Sequence, residues 1–197
     1  MKRFFLPTTA LAAIAVLALG AHPAEAHGTA GGGALAGLLH PLLGLDHLLM
    51  LLAVGTAASQ LSFLLLPWAL GGGLIGALAG QGGSTVPLLE PLAALAVMAV
   101  AALTLTWSQR GAANRAIPLF TGVLVAAGVA VHGMLHGMEV PAEGSPVVWW
   151  AGALLSSVLI SGGSALLLRQ MPQGWARLVA LSTLMAGGLL VVGSSAG

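Results

Sequence analysis

The amino-acid sequence predicts an all-α integral membrane protein, with six transmembrane helices after a cleaved N-terminal signal peptide. Three observations lead there. Of 197 residues, 58% are hydrophobic and only 6% are charged, whereas a water-soluble domain carries about a quarter charged residues. Mean hydropathy is +1.02. The apolar residues also fall in runs close to the roughly 20 residues that cross a hydrocarbon core. A surface so poor in charge could face water only with large apolar patches, which excludes a single soluble core.

The first segment reads as a targeting signal. Lys2 and Arg3 precede an apolar stretch from Phe4 to Gly20, followed by Ala24-Glu25-Ala26. A positive start, a short hydrophobic region and small residues at a cleavage site are the order of a secretory signal peptide. Removal of residues 1–26 would leave His27 as the mature N-terminus, outside the cytoplasm. An uncleaved first span is the rival reading, and the run is short for it.

Six predicted spans follow, near 34–55, 61–80, 86–108, 117–138, 146–168 and 175–195. Between them stand turn-forming stretches such as Gln81-Gly82-Gly83-Ser84 and Pro172-Gln173-Gly174. With the mature N-terminus outside, the cytoplasmic loops fall at 56–60, 109–116 and 169–177. The last two hold Arg110, Arg115, Arg169 and Arg177, while the external 138–146 loop holds Glu139 and Glu143. This satisfies the positive-inside rule for a bacterial inner-membrane protein with a periplasmic N-terminus. The 29 glycines fit helices in close backbone approach, where small residues substitute for a hydrophobic driving force.

Charge and composition exclude several functions. Six basic and five acidic residues nearly cancel, and no basic patch could track a phosphate backbone, so nucleic acid is not an expected partner. Cysteine is absent. Disulfides, thiolate zinc sites and cysteine nucleophiles are therefore ruled out, and any metal must be held by nitrogen and oxygen.

Ionisable groups inside a bilayer are costly and mark pathways. Here they concentrate in two segments, His40-Pro41-Leu42-Leu43-Gly44-Leu45-Asp46-His47 and His132-Gly133-Met134-Leu135-His136-Gly137-Met138-Glu139. His132, His136 and Glu139 stand at i, i+4 and i+7 and share one helix face. His40 and His47 are seven apart, again on one face, with Asp46 beside the second. Two histidines one turn apart are a common metal-holding arrangement on a helix. The candidate ligands are thus His40, Asp46, His47, His132, His136 and Glu139, with Glu90 and His27 as secondary candidates.

On straight helices, a rise of about 1.5 Å per residue places His40 and His132 roughly 9 Å from the outer end and His47 roughly 20 Å. An ion from outside would then meet His136 and Glu139, next His40 and His132, and last Asp46 and His47. The structural readings weigh against single residues. A lone buried histidine commonly makes a helix-to-helix hydrogen bond worth about 0.6 kcal/mol. Glu139 could be a solvated loop residue, Glu90 an interfacial one beside Pro91, and His27 merely the residue after a cleavage site. Met50, Met134 and Met138 read as apolar filler. Four histidines with nearby acids on two segments outweigh that reading. Their donors suit zinc, nickel, cobalt or copper(II), not calcium or magnesium.

The two motifs together resemble the HupE/UreJ family of hydrogenase and urease accessory membrane proteins. The likeness rests on His40-Pro41, Gly44 and Asp46-His47 followed by Ala53-Val54-Gly55, and on His132-Gly133, His136-Gly137 and Glu139. Signal peptide, early histidine and six spans extend it over the whole chain. One departure is that the family pattern has methionine where Leu51 stands, one position after Met50. The resemblance implies secondary uptake of nickel or cobalt for metalloenzyme assembly, with both histidine motifs on the metal path. The metal would be a transported substrate, with no tightly bound cofactor.

No nucleotide-binding motif is present. An ion gradient, the membrane potential, or trapping of the metal by cytoplasmic metallochaperones would have to supply the direction. Two other functions use the same residues: a haem-binding membrane electron carrier, and a zinc-dependent intramembrane enzyme.

Overall fold

The computed structural model describes residues 33–84, 86–108, 119–142 and 144–195. The predicted signal peptide with His27, the loop carrying Arg110 and Arg115, and Glu143 lie outside the described residues. Those residues form seven α-helices and no strand: α1 (Ala34–Leu43), α2 (Leu45–Gln60), α3 (Leu65–Gln81), α4 (Leu89–Ser108), α5 (Leu119–Gly137), α6 (Pro146–Gln170) and α7 (Gln173–Ser195). Four of them, α4 to α7, are long and apolar enough to cross a membrane. Taken as one bent span, α1 and α2 make a fifth; α3 is apolar but has only 17 residues.

α2 is the central helix and packs against all six others. It is buried on every side, from Leu49 to Ala58 with one exception, as an apolar helix inside a bundle must be. Leu49, Met50, Ala53, Val54 and Ala57 meet Val97 and Val100 of α4, Val125 of α5 and Ala186 of α7 in one core. Large apolar side chains also cover the outside: Ile75, Leu78, Phe120, Val147 and Val192 are all exposed. Apolar groups both inside and outside are what a lipid-facing bundle requires. Three buried hydroxyls return to their own helices, with Thr56, Thr104 and Thr183 donating to the carbonyls of Leu52, Val100 and Val179.

The predicted straight first span, 34–55, is corrected by the structure. The helix breaks at Gly44 and turns through 79°. Pro41 lies inside α1 and removes a helical N–H. Gly44 then adopts an extended conformation (φ −77°, ψ 111°), and glycine resists helix more than any residue except proline. Its N–H closes α1 on the His40 carbonyl at 3.0 Å, while its own carbonyl accepts from Leu48 at 2.9 Å and opens α2. The predicted second span also starts late, because residues 61–64 form a turn closed by Leu65 N–H on the Ser62 carbonyl.

Glycine determines how α3 and α5 meet. Gly72, Gly76 and Gly80, spaced by four, face the backbone of Ala126, Ala130 and Met134, and Gly133 and Gly137 return the contact to Gly73 and Ala77. A Cβ at Gly76 would stand 2.6 Å from the Ala130 carbonyl carbon, so no larger residue fits unless the helices part. The seam positions the stretch of α5 that carries His132 and His136.

Candidate metal centre

α1 presents His40 from its last turn, and α2 presents Asp46 and His47 from its first. α5 presents His132 and His136 from its final two turns, and Glu139 follows in the turn after Gly137. On a straight helix His40 and His47 would lie about 10 Å apart along the axis. The bend at Gly44 brings their ring centroids to 5.6 Å. The expected ladder of successive depths is therefore replaced by one cluster of six side chains.

His136 is its centre. Its Nδ1 lies 2.7 Å from Glu139 Oε2 and 3.1 Å from His40 Nε2. Its Nε2 lies 3.1 Å from His132 Nε2 and 3.4 Å from Asp46 Oδ2. Two further edges close the arrangement, His40 Nε2 to Glu139 Oε2 at 3.6 Å and His132 Nε2 to Asp46 Oδ2 at 4.0 Å. His47 stacks on His136 with centroids 4.3 Å apart and meets His132 edge-on at 5.1 Å. His132 is 2% exposed and His136 5%, so these two imidazoles are buried, His40 and His47 are partly buried, and the two carboxylates reach a partly open edge.

This donor set calls for a cation. A neutral imidazole has one N–H, yet both His136 nitrogens face a carboxylate and another imidazole nitrogen. His47 Nδ1 and His132 Nδ1 are buried without a hydrogen-bond partner, which is costly in a dry interior. Ligand atoms of His40, His47 and His136, and separately those of Asp46, His132 and His136, lie within 4.8 Å of one another. Nitrogen and carboxylate oxygen at such separations suit divalent first-row transition metals.

Glu90 stands exposed in the first turn of α4 and belongs to neither ligand group, so that secondary candidate is set aside. Trp149 is a residue that sequence reasoning missed. It is buried, lies 4.9 Å from the His40 ring at a tilt of 57° and meets Trp150 edge-on. The one available signal was a tryptophan pair at the start of a span, where aromatic belts form. A cavity of about 320 Å³ adjoins the cluster, between α2, α3, α5 and α6. His47, His132 and His136 form one end; beyond them the wall is apolar, with Met50 and Val54, and its hydroxyls are Ser157 and Ser161.

The fold and the site define a class: an all-helical membrane protein in which a broken helix and a continuous one enclose a four-histidine, two-carboxylate centre. Within that class, residues 9–195 match the family described as HupE / UreJ protein, and the chain belongs to it. It is 32% identical over 197 residues to Protein HupE of Rhizobium leguminosarum bv. viciae, covering 94% of this chain and 97% of that protein. No solved structure matches it.

Proposed function

We propose that the protein is a secondary permease that carries a divalent transition metal, nickel, from periplasm to cytoplasm for metalloenzyme assembly. The observation that carries this reading is the convergence of nitrogen and oxygen donors on His136 inside a membrane bundle. Cobalt accepts the same ligands. In this reading the signal peptide is cleaved, α1 and α2 form one broken span, and α3 is a short sixth span, at 17 residues within the workable range. Broken spans are a recurring device at transporter binding sites, where helix ends meet the ion. The C-terminal end of α1 brings partial negative charge, and Asp46 offsets the positive start of α2. Arg169, 4.7 Å over the Phe63 ring, lies on the cytoplasmic side in this topology, as the positive-inside rule asks. The cavity beyond the histidines is the inward continuation of the path.

Both rival functions fit the geometry less well. Haem needs its axial imidazoles on opposite faces of a macrocycle, whereas here imidazole nitrogens approach one another at 3.1 Å. Asp46, His132 and His136 could hold a catalytic zinc with an open position, but among the described residues no carboxylate lines the adjoining cavity to act on a substrate there. The decisive measurement is nickel accumulation in cells lacking their own high-affinity uptake. Wild type should accumulate nickel, and His47→Ala and His132→Ala should abolish accumulation at equal membrane abundance. Well-expressed wild type that takes up neither nickel nor cobalt would overturn the reading.

A further inference from the structure

We propose that the cluster holds two cation positions, occupied in turn and joined by the single ring of His136. The inference rests on the transport reading and concerns how that site is divided. The two ring nitrogens of an imidazole point apart, and in the neutral ring only one at a time offers a lone pair while the other carries the proton, so one ion cannot sit on both. Yet each nitrogen of His136 has its own complete set of neighbours. On the Nδ1 side stand His40 Nε2 and Glu139 Oε2, forming a triangle with edges of 3.1, 2.7 and 3.6 Å. On the Nε2 side stand His132 Nε2 and Asp46 Oδ2, with edges of 3.1, 3.4 and 4.0 Å.

These triangles have the size a metal ion needs. The point equidistant from the three atoms lies about 1.9 Å from each in the first triangle and about 2.1 Å in the second. Bonds from a first-row divalent metal to imidazole nitrogen or carboxylate oxygen run about 2.0–2.2 Å. An ion would sit slightly out of plane in the first and nearly in plane in the second, leaving room for further ligands. His47, whose ligand atom lies within 4.8 Å of those of His40 and His136, is the further donor at hand.

The two positions also differ in exposure. The two carboxylates are similarly exposed, Glu139 at 35% and Asp46 at 30%, and the difference lies in the histidines, His40 at 10% against His132 at 2%. The Glu139 position is therefore the entry, and the Asp46 position the deeper one. Two divalent ions across one imidazole would repel strongly in a low dielectric, so the positions fill in sequence. An ion arriving at His40 and Glu139 repels the one at Asp46 onward. As that ion leaves, the His136 proton passes from Nδ1 to Nε2 and frees Nδ1 for the newcomer, which lets a site bind well enough to admit an ion and still release it.

The test is a Co²⁺ titration of the purified full-length chain in detergent, read by the absorption bands of the bound ion. Glu139→Gln and His40→Ala each remove a donor from the entry position alone. Asp46→Asn and His132→Ala each remove one from the deeper position alone. All four should retain one bound Co²⁺, within about a hundredfold of wild-type affinity. Their spectra should sort into two distinct pairs, Glu139→Gln with His40→Ala and Asp46→Asn with His132→Ala, and His136→Ala should bind none. The same spectrum from all four, or complete loss of Co²⁺ from both members of either pair, would mean a single site and overturn the proposal. In that case wild-type nickel uptake would still uphold the transport reading. Two paired spectra without any uptake would do the reverse.

Discussion

The two histidine segments present nearly the same side chains from opposite kinds of backbone. In α5, His132 and His136 project from an unbroken helix one turn apart, and Glu139 continues the same face into the following turn. In the first segment, His40 and His47 lie on separate helices that meet at 79° across Gly44. The neighbours that position them differ as well. α5 is seated by backbone-to-backbone packing on α3 through Gly76, Gly133 and Gly137. The His40 arm is seated by Trp149 of α6, whose carbonyl lies against Gly37. A continuous helix places ligands through its own period, whereas a broken one needs a hinge and a wall to bring them together.

That contrast can be broken most forcefully at the hinge. Replacing both Pro41 and Gly44 by alanine removes up to about 4 kcal/mol of resistance to helix. α1 and α2 should then straighten, His40 should leave His47, and metal uptake should fall by more than tenfold at unchanged abundance. Because the native chain has no cysteine, spin labels can be placed at Leu35 and Ser59 alone. The distance between them should lengthen in the double variant, and an unchanged distance with unchanged uptake would show that the bend owes nothing to these two residues.

A smaller effect is expected at the α3–α5 seam. Gly76→Val forces a side chain into the Ala130 backbone, an overpacking that costs about 1–3 kcal/mol. Thermal unfolding in detergent should move down by roughly 5 °C, and uptake should fall because α5 carries His132 and His136 and leads into the turn that carries Glu139. Gly163→Val is the matched control, since nothing lies within 4 Å of a Cβ there. Equal melting temperatures for the two variants would show that the seam tolerates separation.

The smallest change belongs to the wall. Trp149→Phe keeps an aromatic ring but shortens the contact that seats His40, a loss of about 0.5–1.5 kcal/mol. Half-saturation for uptake should rise about threefold, with maximal rate and abundance unchanged. A fall in maximal rate with no change in half-saturation would move Trp149 from positioning His40 to some later step.

Much of the site was legible before folding was considered. Ionisable residues are so scarce in the apolar runs that His40, Asp46, His47, His132, His136 and Glu139 stand out by type alone, and the i, i+4, i+7 spacing already placed the α5 set on one face. The first segment was harder to read. Its seven-residue spacing suits a straight helix too, and the period carries no mark of a bend; Pro41 and Gly44 were visible, but each is common in apolar helices without a 79° turn. Trp149 was not legible as a neighbour of His40, because a contact between residues 109 positions apart has no local signature.

By itself the sequence determined the helical, apolar character of this protein and which scarce ionisable side chains stand as candidate ligands. Hydropathy and charge scarcity act through the solvent, and that physics is local to each run. Only the tertiary structure decided that six side chains would form one cluster rather than a ladder, and that His136 would stand with a carboxylate on each side. Those outcomes depend on where Gly44 turns the chain and how closely α3 admits α5. Both are set by contacts between distant segments, which no periodicity along the chain encodes.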